Sequence, residues 1–200
     1  MLVTTLASAQ DAGTPDCTSI TPGSPEADAC AEAAFRVGRA TEHALDLRLV
    51  LPPPNIHPRP TSAHVIALVR EISDRAQHAS GVYEDVMAWR RAPWTLRALV
   101  AQAGIYERLA RAVVAALRTE AQFRDVLEPQ IAPVECLAVV RYVLAVRAAR
   151  AASIRIPEVT QAVDQLHRYR SDRIARCIDD QRTRDSTFSR YQPGELEAFP

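Results

Sequence analysis

The stretch Thr61–Leu117, TSAHVIALVREISDRAQHASGVYEDVMAWRRAPWTLRALVAQAGIYERLARAVVAAL, decides the fold. Its apolar side chains recur in alternating steps of four and three. The first series is Val65, Val69, Ile72, Ala76, Ala79, Tyr83 and Val86, and the second is Leu96, Leu99, Ala103, Tyr106, Ala110, Val113 and Leu117. A mean spacing of 3.5 residues is the seam that helices present when they pack side by side at shallow angles. Each seam extends over roughly 30 Å of helix. Thr61 or Ser62 supplies an N-cap for the first of these helices, and Pro93 opens the second.

Working outward, Ser24-Pro25-Glu26 is a further helix start, combining a capping hydroxyl, a first-turn proline and an acid at the positive helix end. The spacing predicts a helix from there to about Leu49, with Ala27, Ala31, Ala34, Phe35, Gly38 and Leu45 on one face, ended by Pro52-Pro53-Pro54. On the other side, Pro129 and Pro133 are expected to break the chain before a fourth helix carrying Leu137, Val140, Leu144 and Ala148. Pro157-Glu158 opens a fifth, with Val159, Val163, Leu166, Ile174 and Cys177 on its apolar side. The expected fold is all-α: about five antiparallel helices in a bundle or a short repeat-like array, over residues 25–185. Polar residues 10–24 read as a flexible lead-in and residues 186–200 as a flexible tail.

The chain of 200 residues carries 24 basic and 24 acidic side chains, so its formal charge is zero. That balance argues against binding nucleic acid or an anionic membrane surface, which takes a surplus of positive charge. Every basic residue is arginine and Asn55 is the single asparagine, the signature of a GC-rich genome. Arginine also suits bidentate recognition of carboxylate or phosphate. No run of about 18 apolar residues exists that would insert into a membrane. Residues 1–9 (MLVTTLASA) read as the C-terminal part of a signal peptide: Ala7-Ser8-Ala9 fits the small-x-small rule, with cleavage expected after Ala9 and the true start upstream of Met1.

Four cysteines, Cys17, Cys30, Cys136 and Cys177, suit an exported chain with two disulfides, for which three pairings are possible. Antiparallel packing of the fourth and fifth helices would join Cys136 to Cys177 and leave Cys17 to Cys30. The main rival is Cys30 to Cys177, and four separate thiols would be the cytoplasmic alternative.

A search for chemistry returns little. His43, His57, His64, His78 and His167 form no metal-binding or haem-attachment motif; His64 and His78 share a helix face but lie ~21 Å apart. Nucleophile elbows and glycine-rich phosphate loops are missing, and Asp179-Asp180 point apart on a helix. No catalytic, metal-ligating or cofactor-binding residue is therefore expected, and no cofactor. Arg168, Arg170, Arg173 and Arg176 form a stripe, interleaved with acids that would pair with them. The strongest surface candidate is Trp89, Arg90, Arg91 and Trp94, either a partner-binding patch or a plug closing the end of a helical hairpin.

Ala92-Pro93-Trp94-Thr95, followed by Ala98-Leu99 and Ala103-Gly104-Ile105-Tyr106, resembles the first helix of a tetratricopeptide repeat, and Ala138, Tyr142 and Ala145 resemble its second. Residues 82–150 are thus similar to the degenerate tetratricopeptide-like segments of exported helical proteins in Gram-negative bacteria. The resemblance implies an envelope scaffold or adaptor without catalytic residues. The expected function is accordingly a periplasmic or secreted structural or interaction protein whose partner is another protein. An enzyme or small-ligand carrier with a site between helices is the alternative, and an inter-helical metal or haem bundle is a third reading.

Overall fold

The computed structural model describes residues 15–51, 60–192 and 194–196. The expected signal-peptide remnant and His57 lie outside them. The helices are α1 (Ala27–Ala44), α2 (Ser62–Ala88), α3 (Ala92–Thr119), α4 (Arg124–Ala152), α5 (Pro157–Leu166) and α6 (Ser171–Arg184), with a 3-10 turn at Ala121–Phe123 before α4. Among the described residues no strand is formed, and the fold is all-α.

The two heptad-like seams fix the centre. Thr61 caps α2, its hydroxyl accepting from the His64 N–H at 3.2 Å, and all seven apolar positions of the α2 seam are buried. On α3 the first six are buried and Leu117 is half-buried. A second face of α3 is buried as well, because α3 is the central helix. Leu99, Ala103 and Tyr106 join Val139, Tyr142 and Val146 of α4, while Ala98, Ile105 and Leu109 join Val65, Ile72 and Tyr83 of α2. On α1, Asp28 reaches Arg91 at the start of α3 and Glu42 reaches Arg108 further along it, so α1 runs parallel to α3 and against α2. Gly38 lets α1 close onto α2: a Cβ there would stand 2.6 Å from the buried Tyr83 ring.

Three elements differ from the sequence reading. First, α1 ends at Ala44; Leu45 is extended (φ −74°, ψ 113°) and residues 45–51 form no helix. Their leucines alternate with Asp46, Arg48 and Val50, and burial alternates with them, a period of two that a helix would scatter around its circumference. Second, Pro129 and Pro133 do not break the chain; both lie inside α4. They are exposed and four residues apart, so the carbonyls they leave without an N–H partner, on Asp125 and Pro129, lie on the solvent side. The break falls instead at Glu120, with φ −127° and ψ 64°. Third, the expected fifth helix is two. Arg170 is extended (φ −68°, ψ 143°) before Ser171-Asp172 starts α6, giving six α-helices among the described residues rather than about five.

That turn reverses the chain. Arg173 pairs with Glu135 and Cys177 bonds Cys136, contacts that advance in the same direction along both helices, so α6 runs parallel to α4. The disulfides are Cys17–Cys30 and Cys136–Cys177, the second made between parallel helices rather than antiparallel ones. Beyond α6 the helical pattern dissolves, yet Leu196 is buried and Phe188 and Tyr191 pack against the α3–α6 core. Arg147 clasps this return, donating to the Ser189 and Arg190 carbonyls at 3.0 and 2.9 Å and pairing with Glu195.

Candidate functional site

The tryptophan corner is the seat of the chain's own lead-in. Arg91 forms a bidentate pair with Asp28 at 2.8 and 2.6 Å and donates to the Gly23 carbonyl at 3.2 Å. The Gly23 N–H in turn donates to the Trp89 carbonyl at 2.8 Å. The guanidinium hydrogen bonds hold the Asp28 carboxyl below its ordinary pKa. Trp94 is half-buried against Phe35, ring centroids 5.6 Å apart, with the Arg97 guanidinium 4.6 Å above its ring. Arg90 is exposed, in the left-handed region at φ 53°, and Trp89 is half-buried. The structure therefore brings all four side chains to one corner but commits Arg91 and Trp94 to contacts within the chain.

The arginine stripe is divided by the α5–α6 turn. Arg173 donates to Glu135 and to the Ala132 carbonyl, and Arg176 pairs with Asp172 at 3.5 Å. Arg168 makes no ion pair with Asp164, one turn before it, among the described residues; both side chains line a shallow cleft instead.

Three tyrosines have pKa values raised chiefly by burial. Burial, then the neighbouring Glu42 carboxylate that accepts from its hydroxyl at 2.8 Å, raises the Tyr83 pKa. Tyr142 and Tyr169 both direct hydroxyls at Glu107, and burial first, then that carboxylate, raises both. These phenols are locked neutral between helices and act as struts. Among the described residues no cluster of three or more His, Cys, Asp or Glu side chains converges as a metal site, and no helix is long and apolar enough to cross a membrane.

Two concavities lie along the C-terminal half of α3. Ala112, Ala115 and Ala116 leave a low surface there, and a cleft opens on each side. One, of about 440 Å³, is walled by Glu107, Glu135, Gln165, Arg168 and Tyr169. The other, of about 620 Å³, runs between α3 and residues 45–49, lined by all five of those residues and by Arg108, Arg111, Thr119 and the same alanines. No protein-family model matches the chain, and no curated protein or solved structure matches it. The residues and their geometry therefore carry the functional reading.

The wider groove has an unusual wall. Asp46 and Arg48, both among its lining residues, form an exposed salt bridge, and the Arg48 hydrogen bonds hold the Asp46 carboxyl far below the ordinary carboxylate range. The Asp46 carbonyl accepts from Arg75 of α2 at 3.4 Å. The Leu47 and Leu49 backbone groups, by contrast, have no hydrogen-bond partner among the described residues. Arg108 Nη2 pairs with Glu42 Oε1 at 3.3 Å, while its Nε is shielded from solvent without a hydrogen-bond acceptor among the described residues. Arg111 is exposed. Helix periodicity passed over this wall; the alternation Leu45-Asp46-Leu47-Arg48-Leu49-Val50-Leu51 was the signal that could have found it.

Proposed function

We propose that this chain is a non-catalytic scaffold that binds another protein in the bacterial cell envelope. The observation that carries the reading is the open groove between α3 and residues 45–49, apolar along its floor and cationic at its rim, set on a helical frame held by two disulfides. Disulfides persist in oxidising compartments, which supports export to the periplasm or beyond. The buried phenols and most arginines are already paired within the chain, which favours support over turnover.

The test is affinity capture from an envelope extract with the oxidised protein as bait. A partner retained in stoichiometric amount, and released by variants at one surface, is the expected result. A protein that stays monomeric and retains nothing would count against the reading. The polar cleft containing Glu107, Glu135 and Arg168 favours a second reading, a carrier of a small polar ligand. A small molecule co-purifying under native mass spectrometry would support that reading over the first.

A further inference from the structure

We infer that the seat of residues 188–196 on α4 is a peptide-binding site, filled here by the chain's own segment, that takes a partner-protein segment of the same chemistry. The inference rests on the protein-binding reading above and adds a second contact surface, built from other residues than the groove beside residues 45–49.

One side chain organises the seat. Arg147 of α4 is mostly buried, its side chain 20% exposed. It donates to the Ser189 and Arg190 carbonyls at 3.0 and 2.9 Å and forms a bidentate pair with the Glu195 carboxylate. Its guanidinium also lies 5.8 Å from the Phe188 ring centroid. Arg150, on the same helix, donates to the Glu195 carbonyl. A turn presents that acid. Gly194 takes φ 86°, the Glu195 N–H donates to the Gln192 carbonyl at 2.9 Å, and the Glu195 carboxylate accepts from the Gln192 N–H at 3.2 Å. Leu196 is buried in the core cluster built by α3 to α6.

These contacts are of two kinds. Ser189 and Arg190 are exposed and held by their carbonyls, so the seat reads backbone there. At the other positions the side chain counts: a ring against the guanidinium, a glycine for the positive φ, an acid for the bidentate pair and a leucine for the core. The segment that fits is therefore an aromatic residue, five further residues, then glycine, an acid and leucine.

Nothing covalent holds this occupant. Both disulfides lie before it, and Cys136–Cys177 keeps α4 and α6 joined when the segment lifts. An empty seat would leave the mostly desolvated Arg147 without its four oxygen acceptors and open an apolar depression at Leu196, so exchange for a like segment is favoured over vacancy. The tethered segment competes at roughly millimolar effective concentration, so a partner displaces it by adding contacts elsewhere on its own surface. A second copy of the chain is disfavoured on the same ground: its segment offers identical contacts at the lower concentration of the protein itself.

The probe is a fluorescein-labelled peptide of residues 187–196, Thr-Phe-Ser-Arg-Tyr-Gln-Pro-Gly-Glu-Leu, titrated into the full chain and read by anisotropy. Glu195→Lys sets two positive groups together and opens the seat; it should bind the peptide saturably and at least tenfold more tightly than the unaltered chain does. Leu196→Asp opens the seat by another route and should give the same result, so the test survives if Glu195→Lys loses its helical circular dichroism. Peptides with alanine for the phenylalanine, or glutamine for the acid, should bind at least tenfold more weakly. Arg147→Glu should reject the acidic peptide and bind one with lysine in place of the acid, a reversal that misfolding does not produce. The inference is overturned by no saturation of either opened variant at millimolar peptide, by equal affinity of opened and unaltered chains, or by an Arg147→Glu variant that still prefers the acidic peptide. A dimer in sedimentation that Arg147→Glu abolishes would assign the seat to exchange between copies and overturn the partner assignment. From envelope extract, Glu195→Lys should retain at least tenfold more partner than the unaltered chain, eluted by free peptide. A partner that the peptide does not elute would leave the scaffold reading standing and sink this one.

Discussion

Three tyrosines show how much a single side chain can report in this protein. Tyr83, Tyr142 and Tyr169 have pKa values raised by burial and by Glu42 or Glu107. Their neutral forms therefore contribute stability that is present in full below the ordinary tyrosine value near 10. It is lost as pH climbs from there towards the higher folded values, because the unfolded chain releases phenolic protons first. The chain contains no lysine and no free cysteine, so its tyrosines are the side chains that titrate in that window. Urea unfolding at pH 9, 10 and 11 should show stability falling, with each buried phenol adding up to about 1.4 kcal/mol per pH unit. Tyr142→Phe should flatten the slope; an unchanged slope would mean that this hydroxyl keeps its ordinary pKa in the fold. Tyr83 was legible as a seam residue from its spacing; Tyr142 entered only through the tetratricopeptide-like resemblance, and the face expected for the fourth helix began at Leu137, which is exposed. Their carboxylate partners were not, since Glu42 and Glu107 come from other helices and no local pattern announces a contact made across the bundle.

At the scale of elements, periodicity read well wherever one helix face met one neighbour. The α2 seam is the clearest example, buried at every expected position. It read poorly where a local rule competed with tertiary placement. Proline at 129 and 133 was a helix stop by local chemistry, but α4 keeps both on its outer face, where water can take up the free carbonyls. Restoring a backbone donor there should help. Pro133→Ala is expected to raise stability by about 1 kcal/mol or more in chemical denaturation. A loss instead would show that the local distortion is needed for the grip of Arg173 on the Ala132 carbonyl. The non-helical segment 45–51 was missed for the opposite reason. Four leucines in seven residues prolong a helical reading, and only their strict alternation, checked against a period of two, separates strand from helix. The wall of the candidate groove lay within that misread span.

For the whole molecule, class and cysteine pairing were within reach of the sequence, and the path of the chain was not. The α5–α6 turn lies in a polar, arginine-rich span whose helical spacing continues almost unbroken, so nothing local marks the reversal that makes α6 parallel to α4. The two disulfides hold opposite parts of the structure: one ties the lead-in to α1, the other ties α6 to α4. Loop-closure entropy predicts that removing Cys136–Cys177, which encloses 41 residues, costs roughly 4 kcal/mol, against about 3 kcal/mol for the 13-residue Cys17–Cys30 loop. Paired alanine variants, compared by denaturant midpoint and slope, check both size and order; a costlier loss at Cys17–Cys30 would contradict it. The same bonds govern how the protein would bear tension. Stretched between its ends, the oxidised chain hands force directly across each sulfur bridge, so the 41 residues inside the larger loop never join the stretched path. At ~3.5 Å per residue, roughly 140 Å of slack stays locked away until the bridge is reduced, and a reductant alone would turn a short, stiff tether into a long one.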